Sequence, residues 1–216
     1  MIRFITLEGG DGTGKTTQLK ALEPHLLARG RSCVVTREPG GTPLGQLIRQ
    51  VLLEVGKQPI ASQTELFLYL ADRAQHVQEV IALALKRGQI VLCDRYTDST
   101  LAYQGYGRGI DLELLRRLND FANRGVRPDL TFLLDCPVEL GLSRTAQRQS
   151  ATQGKSQRED RFEREALEFH KRVRAGFLEL ARSEPDRFHV IDASRSIEDV
   201  AARIKKIVDE KLVEPG

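Results

Sequence analysis

Eight residues near the N-terminus carry the clearest chemical pattern in this chain. Residues 9–16 read Gly-Gly-Asp-Gly-Thr-Gly-Lys-Thr and directly follow the strand-like run 4–8. Glycines let backbone N–H groups turn inward around phosphate oxygens, because they carry no side-chain bulk. Lys15 can reach the β- and γ-phosphates, and Thr16 offers a hydroxyl to Mg²⁺. The pattern predicts that the first ligand is a nucleoside triphosphate.

The surroundings of this loop favour the same interpretation. A glycine-rich turn can fit the pattern by chance, but here a strand-like run precedes the loop and a helical stretch, 15–29, follows it. That is the context which the motif requires. The helix would also direct the positive end of its dipole at the phosphates.

Length and composition favour one α/β domain over residues 1–216, although this length would also permit two. Neither a signal peptide nor an apolar stretch of membrane-spanning length is evident. We therefore expect a soluble protein of the cytoplasm with no membrane partner. A net charge of +3 is too small to indicate nucleic acid and is compatible with small anionic substrates.

The cysteines and histidines do not indicate a metal site. Cys33, Cys93 and Cys136 are odd in number and far apart, and each lies in or beside a strand-like run. We expect buried, reduced thiols. The four histidines are isolated in sequence and form no ligand pair.

Alternating strand and helix patterns predict the fold class. Five apolar or β-branched runs lie at 3–8, 32–37, 90–94, 130–135 and 188–192. Helical patterns separate them, with Leu66, Leu70, Val77, Ile81 and Leu85 on one face and later Val200, Ile204, Ile207 and Val208. This order predicts an α/β protein with a doubly wound parallel sheet and helices on both faces.

Ligands of such sheets bind at the carboxyl ends of the strands. Polar residues follow the strands here: Glu8 with the loop, the Arg-Glu-Pro-Gly-Gly-Thr segment 37–42, Asp94-Arg95-Tyr96, and Asp135. A carboxylate beside Mg²⁺ and an arginine that bridges donor and acceptor phosphates would complete the electrostatic set. Asp94 and Arg95 could also be a plain salt bridge at a strand end, but their place in the strand order favours function.

Residues 144–164 depart from the regular pattern. They hold five arginines and one lysine among polar residues, with almost no apolar residue between Leu142 and Phe162. A solvated helical face or a surface loop would explain such a stretch. Beside a phosphate loop we favour a basic lid that closes on the transferring phosphoryl group and expels water.

A phosphate loop alone does not separate a kinase from a nucleotide-driven switch. Guanine switches carry a second Asp-x-x-Gly and an Asn-Lys-x-Asp, and neither occurs here outside the loop itself. A kinase for a small acceptor needs a second pocket, an arginine for the acceptor's anionic group and a closing lid.

Taken together, these motifs closely resemble bacterial thymidylate kinases. The resemblance rests on 8–17, 37–42, Asp94-Arg95-Tyr96, Tyr103-Gln104-Gly105 and Asp160-Arg161-Phe162-Glu163, and it runs nearly end to end. It implies a nucleoside monophosphate kinase with a P-loop and a five-stranded parallel core. It also implies a homodimer that transfers the γ-phosphoryl group of ATP to dTMP with Mg²⁺.

The motifs and the resemblance together imply the site residues. Lys15, Asp94, Arg95 and Arg161 are expected to be catalytic, with Thr16 and Asp94 at Mg²⁺, directly or through water. The ATP-binding residues would be Gly9, Gly10, Asp11, Gly12, Thr13, Gly14, Lys15, Thr16, Thr17, Arg144, Arg148 and Arg158. The dTMP-binding residues would be Asp11, Glu38, Pro39, Phe67, Arg73, Arg95, Ser99, Thr100, Tyr103 and Gln104.

Individual roles follow from the resemblance. Phe67 would be the aromatic plate under thymine and Arg73 a donor to a thymine carbonyl, whereas taken alone Phe67 would more often be a core residue. Tyr103 would occupy the place of a ribose 2′-hydroxyl. Arg161 would be the catalytic lid arginine, helped by Arg148 and Arg158, and Arg144 would lie against adenine.

Two alternatives stay open at this point. One is a kinase for another nucleoside monophosphate or for a nucleoside. The other is a nucleotide-binding switch that transfers no phosphoryl group to a small molecule.

Overall fold

The computed structural model describes residues 2–53, 60–151 and 165–212, and over these ranges strands and helices alternate as predicted. The strands are β1 (Phe4–Glu8), β2 (Cys33–Arg37), β3 (Ile90–Asp94), β4 (Leu130–Asp135) and β5 (Phe188–Asp192). The helices are α1 (Lys15–Leu27), α2 (Pro43–Leu53), α3 (Ser62–His76), α4 (Ala82–Lys86), α5 (Thr97–Thr100), α6 (Leu112–Asn123), α7 (Val138–Ala151), α8 (Leu167–Ser183) and α9 (Ile197–Leu212). The π-helical segments Val77–Ile81 and Leu101–Gly107 continue α3 and α5.

The described strands form one parallel sheet in the order β2-β3-β1-β4-β5. The predicted doubly wound, five-stranded parallel sheet is therefore confirmed. β1 and β2 begin one residue later than the sequence predicts, at Phe4 and Cys33. Because β1 lies between β3 and β4, the loop that follows β1 emerges at the middle of the sheet edge where ligands bind.

Helices cover both faces of the sheet. On one face, Ile5 and Leu7 of β1 pack with Leu19 and Leu22 of α1 and with Ile204 of α9. On the other face, α3, the segment Leu101–Gly107, α6 and α8 form a second apolar cluster. The predicted apolar faces are found, since Leu66, Leu70, Val77 and Ile81 are buried, as are Val200, Ile204, Ile207 and Val208.

The three cysteines are free, and Cys93 and Cys136 are buried as expected. Cys33 is only half-buried, because β2 is an edge strand. Among the described residues, no helix has the length and apolar character to cross a membrane.

Candidate active site

The phosphate loop connects β1 to α1, and glycine determines its shape. Gly9, Gly12 and Gly14 have φ angles of 135°, 74° and 93°, a backbone region that residues with side chains rarely adopt. A Cβ atom on Gly12 would lie 1.9 Å from the carbonyl oxygen of Gly141 in α7. The loop can therefore rest against α7 only if this position is glycine.

The first turn of α1 is arranged for an anion. Gly14 precedes the helix, and no side-chain cap is present there in the described structure, so N–H donors of the first turn are left for a ligand. Lys15 is buried, and its Nζ donates to the carbonyl oxygens of Gly9 (3.1 Å) and Gly10 (2.7 Å). Burial and the nearby Arg95 lower the pKa of Lys15 to about 8. A bound phosphate would favour the charged form of this lysine again.

Thr16 and Asp94 meet above the sheet edge. Thr16 follows β1 through the loop, and Asp94 ends the neighbouring strand β3. The Thr16 hydroxyl donates to Asp94 Oδ2 at 2.6 Å. The fold thus brings together two oxygen ligands that are 78 residues apart in sequence.

Arg95 bridges the phosphate loop and the segment after α5. Its φ is 70°, which is uncommon for a residue with a side chain. The guanidinium donates to Asp11 Oδ1 at 2.6 Å and to the carbonyl oxygen of Gly9 at 3.0 Å. It also lies 4.9 Å from the centre of the Tyr103 ring. Arg95 therefore sits between the two ends of the cleft.

Asp11 and Tyr103 both hydrogen-bond Arg95 and also contact each other. The Tyr103 hydroxyl donates to Asp11 Oδ2 at 3.0 Å and accepts from Arg95 at 3.0 Å. Burial alone would raise the pKa of Asp11, but Arg95 and Lys15 outweigh it and hold that pKa below its ordinary value. The ionised carboxylate can accept a hydrogen bond from a ligand hydroxyl.

Glu8 is linked to Arg95 through the Ser99 hydroxyl. This buried carboxylate accepts from the Tyr96 backbone N–H (2.7 Å) and from the Ser99 hydroxyl (2.6 Å). Ser99 Oγ in turn accepts from Arg95 Nη1 at 3.1 Å. Burial and the nearby Asp98 raise the pKa of Glu8 to about 8.

Arg73 lies at the far end of the cleft in a buried ionic cluster. Its side chain is 1% exposed, and its Nε donates to Glu38 Oε2 at 2.9 Å. His76 Nδ1 hydrogen-bonds the other oxygen of Glu38, also at 2.9 Å. The remaining guanidinium nitrogens donate to Thr100 Oγ1, Asn119 Oδ1 and the Tyr96 carbonyl. Among the described residues, these contacts use four of the five N–H donors of arginine, so the fifth can serve a ligand.

A cleft of about 600 Å³ joins these groups. Its wall brings together many of the predicted site residues: Asp11, Gly12, Thr13, Gly14, Lys15, Thr16, Thr17, Glu38, Pro39, Arg73, Asp94, Arg95, Ser99, Thr100, Tyr103, Gln104, Arg144 and Arg148. Gly9 and Gly10 lie on the other side of the phosphate loop, facing a cavity of about 30 Å³. The predicted Arg158 and Arg161 lie outside the described residues.

Phe67 is not among the described residues that line the cleft. It is 62% exposed, whereas Tyr69 lines the cleft. Tyr69 precedes Arg73 by four residues on α3 and therefore shares its face, while Phe67 precedes Arg73 by six and does not. The same i, i+4 spacing is the sequence signal that would have selected Tyr69.

The end of β5 contributes a wall that the sequence patterns did not indicate. Residues Ala193, Arg195, Ser196 and Ile197 line the cleft beside α1. Arg144 Nη1 donates to the Ala193 carbonyl oxygen at 2.7 Å. This segment follows a strand at the ligand-binding edge, so the rule that selected the other strand ends also applies to it.

The end of β4 lies away from the main cleft. Asp135 lies beside the smaller cavity, where Arg174 donates to both of its oxygens at 2.7 and 2.9 Å.

Of the expected lid segment 144–164, residues 144–151 are described, and they form the end of α7. Arg144 and Arg148 are one helical turn apart and both line the cleft.

Comparisons with known proteins agree with this geometry. The family model described as thymidylate kinase matches residues 7–204. The chain is 53% identical over 213 residues to the thymidylate kinase of Desulfovibrio desulfuricans, covering 99% of this chain and 98% of that protein. It is 54% identical over 205 residues to that of Geobacter sulfurreducens, covering 95% of each. The crystal structure of thymidylate kinase from Ehrlichia chaffeensis is 36% identical, with a TM-score of 0.76 over 95% of this chain and 98% of that chain.

The family match spans the loop, the strand ends and the cleft walls described above. The chain therefore belongs to the thymidylate kinase family.

Proposed function

We propose that this chain transfers the γ-phosphoryl group of ATP to dTMP, which gives dTDP and ADP. Family membership supports the reaction. The observation that carries the proposal is the single cleft with a phosphate loop at one end and the Arg73 cluster at the other, joined by Arg95 and Asp11. Two anions can be held end to end in such a cleft.

The chemistry that we propose is positioning and charge neutralisation. A phosphate oxygen of dTMP attacks the γ-phosphorus, and the bond from that phosphorus to the β,γ-bridging oxygen breaks, which leaves ADP. A phosphate dianion needs no general base, so Lys15 and Arg95 act by holding the reacting groups and offsetting their repulsion. We assign to Asp11 the role of accepting a hydrogen bond from a sugar hydroxyl, and to Tyr103 that of obstructing a ribose 2′-hydroxyl.

The Thr16–Asp94 pair fits Mg²⁺. Hydroxyl and carboxylate oxygens are the ligands that this hard cation prefers, and it commonly keeps water in its shell. When bound, Mg²⁺ would neutralise charge on the β- and γ-phosphate oxygens. At the ATP end, Arg144 and the Ala193–Ile197 side of the cleft would hold adenine.

The catalytic lid arginine stays part of the proposal. The variable loop positions are Gly12 and Thr13, so the loop itself offers no arginine. We assign this role to Arg161, with Arg148 and Arg158 as helpers, in one kinase domain with a lid at about 144–164.

A coupled assay of ADP release tests the reaction. We expect release to depend on dTMP and to be much slower with the ribonucleotide UMP, because of Tyr103. Equal or faster turnover with a different acceptor would favour a kinase for that acceptor. Slow ATP hydrolysis that no nucleoside monophosphate changes would favour a nucleotide switch.

Tyr69, in place of Phe67, is expected to stack on the thymine ring. Because stacking on an aromatic side chain contributes about 1–3 kcal/mol per base, Tyr69→Ala should raise the KM for dTMP roughly 10-fold with little change in the KM for ATP. Steady-state kinetics would measure this. The matched variant Phe67→Ala should change the KM for dTMP by less than about twofold. A larger rise in the KM for dTMP from Phe67→Ala than from Tyr69→Ala would assign the stacking role to Phe67 again.

A homodimer is also part of the proposal. Exposed apolar side chains lie along α2, α3 and α6, which pack side by side: Leu44, Leu47, Val51, Phe67, Leu114 and Phe121. An interface between two copies of the chain would cover these side chains. Sedimentation at micromolar concentration should give twice the chain mass of 24.2 kDa, and a single-chain mass would contradict the dimer.

Since the reaction uses ATP, we place the protein in the cytoplasm.

A further inference from the structure

Glu65 is a carboxylate with no exposed surface near the start of α3, behind the acceptor end of the cleft. Burying a carboxylate costs free energy unless it is paired and hydrogen-bonded. Its partners therefore indicate what it does. They include Arg108 and Gln104, and of these two Gln104 lines the cleft.

Arg108 compensates the charge of Glu65. Its Nε and Nη2 donate to the two carboxylate oxygens at 3.3 and 3.2 Å. The same guanidinium pairs with Glu165 at 2.6 Å and lies 4.6 Å from the centre of the Phe169 ring. Because Arg108 offsets the charge of Glu65, the carboxylate can also accept a hydrogen bond from Gln104.

Glu65 fixes the orientation of the Gln104 amide. Gln104 Nε2 donates to Glu65 Oε1 at 2.8 Å, and the Gln104 residue is 2% exposed. An ionised carboxylate only accepts hydrogen bonds, so the NH₂ group of the amide must face it. The position of Glu65 therefore determines which way the Gln104 amide is turned. The carbonyl oxygen Oε1 is then left for a ligand, since Gln104 lines the cleft and no hydrogen bond to Oε1 is found among the described residues.

A carbonyl oxygen in this place selects among pyrimidines. Thymine and uracil carry an N–H at ring position 3, which donates, whereas cytosine has an acceptor at that position. We propose that Glu65 is a specificity-determining positioning residue, which holds the Gln104 amide so that the acceptor pocket takes bases with this imide N–H and rejects cytosine. The inference rests on the proposed function, since it places the acceptor base beside Gln104.

The substitution Glu65→Gln tests this role. A glutamine at position 65 can either donate or accept, so it no longer dictates the Gln104 orientation. We expect the ratio of kcat/KM for dTMP to that for dCMP to fall about 10-fold or more. The alternative acceptor dUMP carries the same imide N–H, so its kcat/KM should change in the same way as that of dTMP. The matched control Glu113→Gln, at an exposed position of α6, should leave the ratio unchanged.

A folded Glu65→Gln protein with a dTMP to dCMP ratio within about twofold of the parent would overturn the inference. A general loss of structure would instead lower turnover on all acceptors together. If that variant does not fold, a crystal structure of the parent protein with dTMP decides. We expect Gln104 Oε1 within about 3.2 Å of the ring N3, with Nε2 still on Glu65, and an inverted amide or a base remote from Gln104 would refute the role.

The outcomes separate this inference from the proposed function. Normal transfer to dTMP with an unmoved ratio rejects the role of Glu65 alone. Absence of transfer to dTMP rejects the proposed function. Equilibrium titration of dTMP and dCMP into the parent and Glu65→Gln proteins would then still show whether Glu65 controls base selection.

Discussion

Replacement of Lys15 by alanine should lower kcat about 10³-fold, because it removes the buried ammonium group that donates to the Gly9 and Gly10 carbonyls of the phosphate loop. The fold should persist, since Lys15 donates to loop carbonyls and does not fill the apolar core. Single-turnover and steady-state kinetics would measure the loss. The matched variant Lys20→Ala, at an exposed position of the same helix, should keep near-normal turnover.

The pH profile is a second readout of Lys15. Because its pKa is lowered to about 8, the free protein carries this charge below pH 8 and loses it above. The kcat/KM for ATP should therefore fall above about pH 8, while kcat should fall only at higher pH because bound phosphates favour the charged form. Near-normal turnover of Lys15→Ala, with an unchanged profile, would remove this residue from the mechanism.

Arg95→Ala should have an effect of similar size, roughly 10³-fold in kcat/KM for dTMP. The guanidinium contacts both the phosphate loop and Tyr103, so its loss would separate the donor and acceptor ends of the cleft. It would also leave Asp11 without its nearest cation, and a carboxylate there would repel the acceptor phosphate.

Arg95→Lys separates charge from geometry. Lysine keeps the positive charge but lacks the planar fork that reaches Asp11 and Gly9 together. It should recover only a minor part of the activity. The exposed Arg116→Ala is the control. Full activity of Arg95→Lys would mean that charge alone suffices, and full activity of Arg95→Ala would contradict the bridging role.

The fold was predictable because its signals are local. Each buried strand is a short apolar run, and helices such as α3 and α9 carry a 3.6-residue apolar period, so the pattern predicts which residues pack on the sheet. The two strand starts that moved by one residue, at Phe4 and Cys33, are ends where pairing is weakest.

The site was predictable where a motif or a strand end marks it, as for Lys15, Thr16, Asp94 and Arg95. The motifs do not separate Phe67 from Tyr69, because the two aromatic residues lie close together on α3 and only the helical angle relative to Arg73 distinguishes them. The contacts of Glu65, His76 and Glu8 join residues 38 to 91 positions apart. Such contacts depend on how elements that are distant in sequence pack together, which no local pattern encodes.

The most direct measurement is a crystal structure of the protein with dTMP and a non-hydrolysable ATP analogue. We expect both ligands in one cleft, with the dTMP phosphate beside Arg95 and an acceptor oxygen about 3–3.5 Å from the γ-phosphorus. Thymidylate bound away from the phosphate loop, with no line of approach to that phosphorus, would refute direct transfer between the two nucleotides.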